Sequence, residues 1–289
     1  CGVLEEWLSE DACLFLSDQD GYANLYSFII SGQSVEQVTA YEMNVDDACY
    51  VTIDGKKYLL ALQSNPIGTK IILLDPLTKE VIWEESSTLN LRIGTSQADN
   101  VKLIANATNV VFQLYEGTVK LDGITLNVIL DVPEDIKSKL VHAVVERLEI
   151  PTFDIDPATS RQRMLHAYLY KPLDPLPKEK QIVMIESFYG GDNRYNTEYQ
   201  IFNQAGIYVL SPSPRGSSGF GRDFAAMNDR DLGGSEIIDI IYSAKYISEK
   251  LGIHADRSGV FGLSHGRYAP TRPMTFPYES NGNKGICPF

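Results

Sequence analysis

One serine in the sequence lies in a setting that could make it a nucleophile. Residues 262–266 have the pattern Gly-x-Ser-x-Gly and directly follow an apolar, strand-like stretch. In a nucleophile elbow a strand ends, the chain turns sharply into a helix, and the two glycines relieve crowding around an exposed serine. The pattern therefore predicts that Ser264 attacks an acyl group, with Gly262 and Gly266 as the glycines of the turn.

The elements that must position this serine can be predicted from the preceding residues. Apolar side chains recur every three to four positions over residues 235–251, which predicts an amphipathic helix. Ser235 is expected to cap its start, and Gly252 to end it in the left-handed conformation. A strand over residues 257–261 would then lead into the elbow.

The rest of the second half also has an α/β pattern. Residues 144–150 and 164–170 are strand-like, and residues 181–185 and 205–210 are short apolar runs typical of buried strands. A helix is expected between the last two. These alternating elements predict a sheet with helices packed on it.

The first half has an all-β pattern. Short apolar or alternating segments are separated by turn dipeptides such as Asp54-Gly55, and helical spacing is not sustained. Similar strands surround Leu25, Ile72 and Phe112, which lie 47 and 40 residues apart. Spacings of this size are typical of four-stranded propeller blades, with a β-sandwich as the alternative. The predicted domains are a partial β-propeller over residues 1–135 and the N-terminal half of an α/β-hydrolase over residues 136–289.

Four motifs in order resemble those of the prolyl oligopeptidase family of serine peptidases. They are Phe188-Tyr189-Gly190-Gly191, the Arg-Gly-rich turn at residues 214–221, Gly-Gly-Ser-Glu at residues 233–236, and the elbow. In this family a β-propeller precedes an α/β-hydrolase domain, and the resemblance is strongest to its dipeptidyl-peptidase and acylaminoacyl-peptidase branches. The resemblance implies a peptide substrate and proteolysis.

The resemblance also implies roles for single residues. Ser264 would be acylated, and the oxyanion would accept hydrogen bonds from the backbone N–H of His265 and the hydroxyl of Tyr189. The alternative for Tyr189 is an aromatic side chain that packs at a strand end. Gly190 and Gly191 would form the turn near the site, although Asp192 follows them where the family often has proline.

Three charged residues near these motifs are expected to be structural. An arginine in a glycine-rich turn usually binds local carbonyls or carboxylates, so Arg215 is expected to hold the turn. Glu236 and Asp239 fall in the first turn of the predicted helix, where negative charge is favourable, and are expected to act there rather than as acid or base.

The acid and histidine that this chemistry requires are not found after the serine. Residues 265–289 contain no aspartate, and their histidine is His265 itself, which adjoins the nucleophile. His142, His166 and His254 precede the serine and are expected to be ordinary surface or core residues. We therefore expect the chain to be a truncated fragment, cut at both ends, with little activity of its own.

Composition excludes several other classes of function. The formal net charge is −13, which argues against a nucleic-acid partner. The four cysteines lack metal-site spacing, and no phosphate-binding loop follows a strand, so no metal or organic cofactor is expected.

No membrane segment or signal peptide is recognisable in the sequence, and the sequence does not indicate a cellular compartment. Because a few blades leave open sheet edges, we expect homo-oligomers or aggregates.

Two alternatives to a peptidase fit part of the sequence. A carboxylesterase could use the same elbow, although the Tyr-Gly-Gly loop and the β-rich first half count against it. A non-catalytic protein could instead use the propeller and hydrolase-like parts for binding.

Overall fold

The fold is described by a computed structural model that covers residues 6–188, 190–264, 266, 268, 271, 278–280 and 283–285. The chain divides into two compact units. Unit 1 contains the chain up to Glu134 together with Asn193–Tyr195 and Ser218–Asp223. Unit 2 contains Asp135–Asp192, Asn196–Ser217 and the chain from Phe224 onwards.

Unit 1 contains three antiparallel sheets of four strands, each formed by strands consecutive along the chain. The first sheet has the strands β1 (Glu6–Ser9), β2 (Ala12–Ser17), β3 (Asn24–Ile29) and β4 (Ser34–Gln37). The second has β5 (Val45–Ile53), β6 (Lys56–Asn65), β7 (Gly68–Leu74) and β8 (Val81–Ser87). The third has β9 (Asn90–Gln97), β10 (Asn100–Ala107), β11 (Val110–Lys120) and β12 (Gly123–Asp131).

Tight turns make these meanders possible. Asp54 and Gly55 join β5 to β6 with φ values of 51° and 78°, and Ile53 pairs with Lys56 on either side. Two consecutive residues of positive φ define the type I′ turn, whose twist matches that of the strands it connects. The predicted turn at this dipeptide is therefore confirmed.

The middle sheet of unit 1 is buried on both faces. Along β6, Leu59 and Ala61 pack in a core shared with the first sheet, whereas Leu60 and Leu62 pack in a core shared with the third. Successive side chains of a strand point to opposite faces, so a strand covered on both sides needs apolar residues at successive positions. This explains the unbroken run Tyr58–Leu62.

The sequence predicts some of these strands and misses others. The three positions predicted to be equivalent, Leu25, Ile72 and Phe112, all lie in the third strand of their sheets. The strands β1, β4, β9 and β10 are not among the predicted segments. In β4 the side chains are polar or exposed, and in β9 only Leu91 is buried, so the apolar alternation is too weak to detect.

Unit 2 is built on a mixed sheet of five strands with the order β13-β14-β16-β15-β17. These strands are β13 (Ala143–Asp156), β14 (Arg161–Pro172), β15 (Val183–Glu186), β16 (Tyr208–Pro212) and β17 (Ser258–Phe261). The strands β13, β14 and β16 pair antiparallel, whereas β15 pairs parallel with both β16 and β17. The five strand segments predicted in the second half are all present.

Four α-helices and three short 3-10 helices complete the described chain. The α-helices are α1 (Glu134–Leu140), α2 (Thr197–Gln204), α3 (Arg222–Ala225) and α4 (Ser235–Leu251). The 3-10 helices are Lys178–Lys180, Ala226–Asn228 and Ala255–Arg257, and a short hairpin pairs β18 (Tyr278–Ser280) with β19 (Asn283–Gly285). Among the described residues, no helix is long and apolar enough to cross a membrane.

Helices pack on both faces of the mixed sheet. Ile240, Ala244 and Ile247 of α4 pack on one face with Ile185 and Leu210. On the opposite face, Tyr199 of α2 packs with Tyr170 and Val209. Each strand therefore alternates between two apolar cores, which accounts for the continuous apolar runs at residues 183–185 and 208–210.

The ends of α4 are predicted in part. Gly252 has φ 63° and ends the helix in the left-handed conformation, as expected. The capping prediction for Ser235 is wrong, because Gly234 occupies the cap position and Ser235 is already helical. Its free N–H instead donates to the carboxylate of Asp231, 3.0 Å away, so a carboxylate before the helix replaces the expected hydroxyl.

Candidate active site

Ser264 lies on the sharp turn that follows β17. Its φ is 55°, in the left-handed region that residues with a side chain rarely adopt, and its side chain is exposed. The N–H of Gly266 donates to the carbonyl of Leu263 across the turn at 2.9 Å. A strained, exposed serine between a strand and a helical turn is the geometry of a nucleophile elbow.

The two glycines of the elbow are required by close packing. A Cβ atom at Gly262 would overlap the hydroxyl of Ser187 and lie 2.8 Å from the carbonyl oxygen of Gly266. A Cβ atom at Gly266 would lie 2.9 Å from the same hydroxyl. Such separations are shorter than carbon and oxygen atoms tolerate, so both positions need glycine for reasons of space.

The side chain that fills this space comes from the neighbouring strand. Ser187, the residue after β15, is fully buried, and its Oγ lies 2.5 Å from the carbonyl oxygen of Gly266 and 3.0 Å from that of Phe261. Its backbone N–H also donates to the carbonyl of Phe261, at 2.9 Å. Ser187 therefore contacts the chain on both sides of Ser264.

Strand pairing brings the predicted oxyanion loop to the same edge of the sheet. β15 and β17 are parallel neighbours, with Glu186 paired to Phe261, so their carboxyl ends lie side by side. Ligands of open α/β sheets usually bind at this edge, where the loops after the strands meet. Tyr189 and His265, the two predicted oxyanion donors, lie outside the described residues, but Gly190 and Gly191 are described and lie four and five residues after the end of β15.

A buried polar network supports Gly190 and Gly191. The N–H of Gly191 donates to Oγ of Ser211 at 2.7 Å, and that hydroxyl donates to the carboxylate of Glu186 at 3.0 Å. The hydroxyl of Tyr199 also donates to Glu186. A Cβ atom at Gly190 would overlap the Glu186 carboxylate and the Ser211 hydroxyl, so the loop lies directly on this network.

Burial shifts the pKa values of two groups in this network. Burial raises the pKa of Glu186 above its usual value, and the hydrogen bonds from Tyr199 and Ser211 offset this only in part. Burial, followed by the charge of Glu186, raises the pKa of Tyr199, so the phenol keeps its proton and remains a donor. Both shifts favour the protonated form of the group concerned.

Arg215 lies in the interior of unit 2 between two carboxylates. It binds Asp239 through Nε and Nη2, each at 2.8 Å, and Asp154 through Nη2 at 2.8 Å, while the guanidinium stacks 4.5 Å above the ring of Phe153. Burial alone would lower the pKa of Arg215, but the bonds to Asp239 outweigh it and raise the pKa. The hydroxyl of Thr152 donates a further hydrogen bond to Asp239. These contacts give Arg215 a structural role, as expected from the sequence.

Glu236 is also fully buried at the start of α4. Its carboxylate accepts hydrogen bonds from the N–H groups of Gly233 and Gly234. An acceptor at this place satisfies donors that the helix itself leaves free. Glu236 thus organises the Gly-Gly turn before the helix, as Asp239 organises the turn at Arg215.

The first comparison with known proteins concerns the sequence. Residues 193–272, which include the elbow, match the sequence model of the prolyl oligopeptidase family. Over this segment the chain is similar to that family. The predicted resemblance is therefore confirmed.

Solved structures with the same fold include members of known peptidase groups. A structure described as a putative dipeptidyl aminopeptidase IV from Bacteroides ovatus has a TM-score of 0.77 and 17% identity, with 94% of this chain and 41% of that chain covered. The structure of dipeptidyl peptidase 4 of Porphyromonas gingivalis has a TM-score of 0.73 and 17% identity, with 96% of this chain and 39% of that chain covered. The structure of a puromycin-hydrolysing peptidase of Mycobacterium tuberculosis has a TM-score of 0.69 and 18% identity, with 93% of this chain and 42% of that chain covered. The chain thus spans about two-fifths of the length of these structures.

The histidines of this chain have local roles where they are described. Nε2 of His142 lies 2.9 Å from the carbonyl oxygen of Lys139, and exposed His254 accepts from the N–H of Asp256. His166 is buried with its ring edge-on to Tyr168, and burial lowers its pKa to about 4. Among the described residues, Ser264 has no hydrogen-bond partner.

Sequence reasoning missed the residues that support the site. Ser187, Glu186, Tyr199 and Ser211 belong to none of the motifs, and no spacing rule connects them. The one available signal was the change from apolar to polar residues at the end of β15, where Glu-Ser follows Val-Met-Ile. Polar residues at the carboxyl end of a buried strand commonly face a site.

Proposed function

We propose that the chain is part of a serine peptidase that cleaves peptides through an acyl-enzyme on Ser264. The observation that carries this proposal is the positive φ of exposed Ser264 on a strand-to-helix turn, within the segment that matches the family. An elbow of this kind presents a hydroxyl to an acyl carbon with little steric hindrance. The hydroxyl oxygen would lose its proton to a general base as it attacks the carbonyl carbon, and the C–N bond would break as that proton passes to the leaving amine. Water would then hydrolyse the ester on Ser264, releasing the acid and restoring the hydroxyl.

The oxyanion of the tetrahedral intermediate would be stabilised by two donors. We assign the phenol of Tyr189 and the backbone N–H of His265, following the positions of these residues in the family motifs. The parallel pairing of β15 with β17 supports this assignment, since the carboxyl ends of the two strands are adjacent. Donors fixed where negative charge develops commonly contribute about 10²–10³-fold to turnover.

The proposed architecture is a partial β-propeller followed by the first part of an α/β-hydrolase domain, with the boundary near residue 135. The three consecutive four-stranded meanders of unit 1 support the first assignment, because propeller blades have this form. The mixed sheet with helices on both faces, and an elbow after one parallel strand, supports the second. The change of unit after Glu134 supports the proposed boundary.

The 289 residues place no aspartate after Ser264, and the one histidine there is His265. A serine hydroxyl without a general base is a weak nucleophile near neutral pH, and loss of triad members lowers turnover by several powers of ten. We therefore expect the chain by itself to react slowly at Ser264, with peptide bonds cleaved at a barely measurable rate.

The test is covalent labelling with an organophosphonate probe followed by peptide mass spectrometry. Slow labelling confined to Ser264, and absent in Ser264→Ala, would support the proposed nucleophile. Labelling spread over other hydroxyl groups at similar rates would contradict it. A labelling rate equal to that of complete serine peptidases would contradict the expected lack of a base.

Sequencing the coding region downstream of codon 289 separates a peptidase from a binding protein. An aspartate and then a histidine, each after a predicted strand, would support the peptidase. A downstream reading frame without them would support a non-catalytic hydrolase-like protein. The labelling test of Ser264 does not depend on which of these two results is obtained.

A further inference from the structure

The loop after β15 contains two glycines, and the N–H of the second points into the interior of unit 2. Gly191 donates to Oγ of Ser211 at 2.7 Å, and Ser211 is only 2% exposed. In hydrolases with a nucleophile elbow, one oxyanion donor is often an N–H of a loop that follows a neighbouring strand. An amide has one proton, so an N–H that donates to a buried hydroxyl is not free for a substrate.

The hydroxyl proton of Ser211 is directed away from Gly191. Oγ of Ser211 donates to the carboxylate of Glu186 at 3.0 Å and lies 3.0 Å from the hydroxyl of Tyr199, which also donates to Glu186. A hydroxyl has one proton and two lone pairs, so an oxygen that gives its proton to a carboxylate can only accept from a further N–H. The contact with Glu186 thereby makes Ser211 an acceptor for Gly191.

Packing holds the two glycines against the same region independently of this bond. A Cβ atom at Gly190 would overlap the Ser211 hydroxyl and the Glu186 carboxylate, and one at Gly191 would overlap the hydroxyl of Ser213. Gly191 also has φ 79°, which residues with a side chain rarely adopt. The absence of side chains lets the loop approach the end of β16 closely enough for Ser211 to accept the N–H.

We propose that Ser211 is a positioning residue that withholds the N–H of Gly191 from the acyl substrate, so that this loop stabilises the oxyanion through a side chain and not through Gly191. The inference rests on the proposed function, in which that side chain is Tyr189, a residue outside the described part of the chain. An esterase loop rich in glycine, by contrast, presents a backbone N–H to the substrate.

The first test measures hydrogen exchange at the Gly191 amide. Mass spectrometry follows a peptide covering residues 187–192, and electron-transfer fragmentation assigns the exchange to Gly191. The variants are Ser211→Ala and Ser211→Cys, whose thiol is similar in shape but accepts weakly. Ser213→Ala is the matched control, because Ser213 is equally buried beside Gly191 and its Oγ has no hydrogen-bond partner among the described residues.

Ser211→Ala is expected to raise the exchange rate of the Gly191 amide roughly tenfold, because one buried hydrogen bond is lost. Ser211→Cys should raise it by a smaller factor, and it provides the measurement if Ser211→Ala does not fold. Ser213→Ala should leave the rate unchanged. Wild-type exchange in both Ser211 variants, or an equal increase in Ser213→Ala, would overturn the proposal.

A second measurement tests whether the N–H is withheld from the substrate. An organophosphonate bound to Ser264 places a phosphoryl oxygen where the oxyanion would form. Exchange at Gly191 in the wild type should therefore be the same before and after labelling. Slower exchange after labelling would show that Gly191 donates to the adduct, which would also overturn the proposal. If Ser264 is not labelled at all, the proposed nucleophile fails, and the variants still decide whether Ser211 holds the Gly191 amide.

Discussion

The guanidinium of Arg215 and the carboxylate of Asp239 form a two-bond ion pair in the interior of unit 2. Nε lies 2.8 Å from Oδ2 and Nη2 lies 2.8 Å from Oδ1. Asp239 is fully buried, and the backbone N–H of Arg215 donates to the same carboxylate at 2.9 Å. The first turn of α4 is thereby joined to the glycine-rich turn that follows β16.

This pair predicts a large loss of stability when one partner is removed. Arg215→Met should lower the free energy of unfolding by about 3–5 kcal/mol, because the Asp239 charge remains buried without its main partner. Denaturant unfolding measures the difference. Lys171→Met, which breaks the half-exposed pair with Glu146, is the control and should cost at most about 1 kcal/mol. Equal losses in the two variants would contradict the structural role of Arg215.

A second prediction concerns the pH dependence of the network below Gly190 and Gly191. Burial raises the pKa of Glu186, so the folded state binds its proton more tightly than the unfolded state, whose pKa is near 4.5. The stabilising contribution of this group is complete below that pH and is lost as the pH rises through the folded-state pKa. Glu186→Gln, a neutral mimic, should therefore gain stability relative to the wild type as the pH increases.

Thermal unfolding of both proteins from pH 4 to pH 8 measures this gain. Glu198→Gln is the control. Glu198 is exposed on α2, and its negative charge is a smaller cause of the raised pKa of Glu186. A stability difference between Glu186→Gln and the wild type that stays constant over this range would contradict the prediction. A relative stability of Glu186→Gln that decreases with rising pH would be opposite to the expected trend and would also contradict the prediction.

A third prediction concerns Asn193, which belongs to unit 1 although its neighbours Asp192 and Asn196 belong to unit 2. Its side chain accepts from the N–H of Thr108 at 3.2 Å and donates to the carbonyls of Ile67 and Thr88 at 3.1 and 2.5 Å. Three loops of unit 1 therefore share one amide.

Asn193→Ala should destabilise unit 1 by on the order of 3 kcal/mol, about 1 kcal/mol for each lost bond. Hydrogen exchange of peptides containing Ile67, Thr88 and Thr108 would report the loss locally. Asn100→Ala serves as the control because this asparagine is exposed and bonded to its neighbour Asp99. Unchanged exchange in all three peptides would show that the loops hold their positions without the amide.

A fourth prediction concerns self-association through the edge of the third sheet. β12 is an edge strand of that sheet, and Val128, Ile129 and Leu130 along it are exposed. Exposed apolar edge strands pair readily with other chains. The purified chain should therefore elute as oligomers or aggregates whose size increases with concentration.

Ile129→Lys combined with Leu130→Lys should shift the elution towards monomer, because lysine on an edge strand opposes pairing. Leu77→Lys is the control, as Leu77 is exposed in a turn outside the strands. Size-exclusion chromatography with light scattering gives the masses. A wild-type chain that stays monomeric at high concentration would contradict the prediction.

The sequence by itself determined many of the elements and the nucleophile motif, because these depend on local patterns. Apolar spacing predicted α4 to the residue, the Asp54-Gly55 turn required positive φ, and Gly-x-Ser-x-Gly after a strand predicted the elbow. The four ordered motifs also indicated the family whose sequence model matches residues 193–272. Each of these signals is contained within a few neighbouring residues.

The tertiary structure alone decided which residues support the site. Ser187 and Gly266 are 79 residues apart, Glu186 and Ser211 are 25 apart, and Asn193 reaches Thr88 across 105 residues. A hydroxyl or amide forms such a bond only when strand pairing brings it within about 3 Å of its partner, and local spacing contains no information about that pairing.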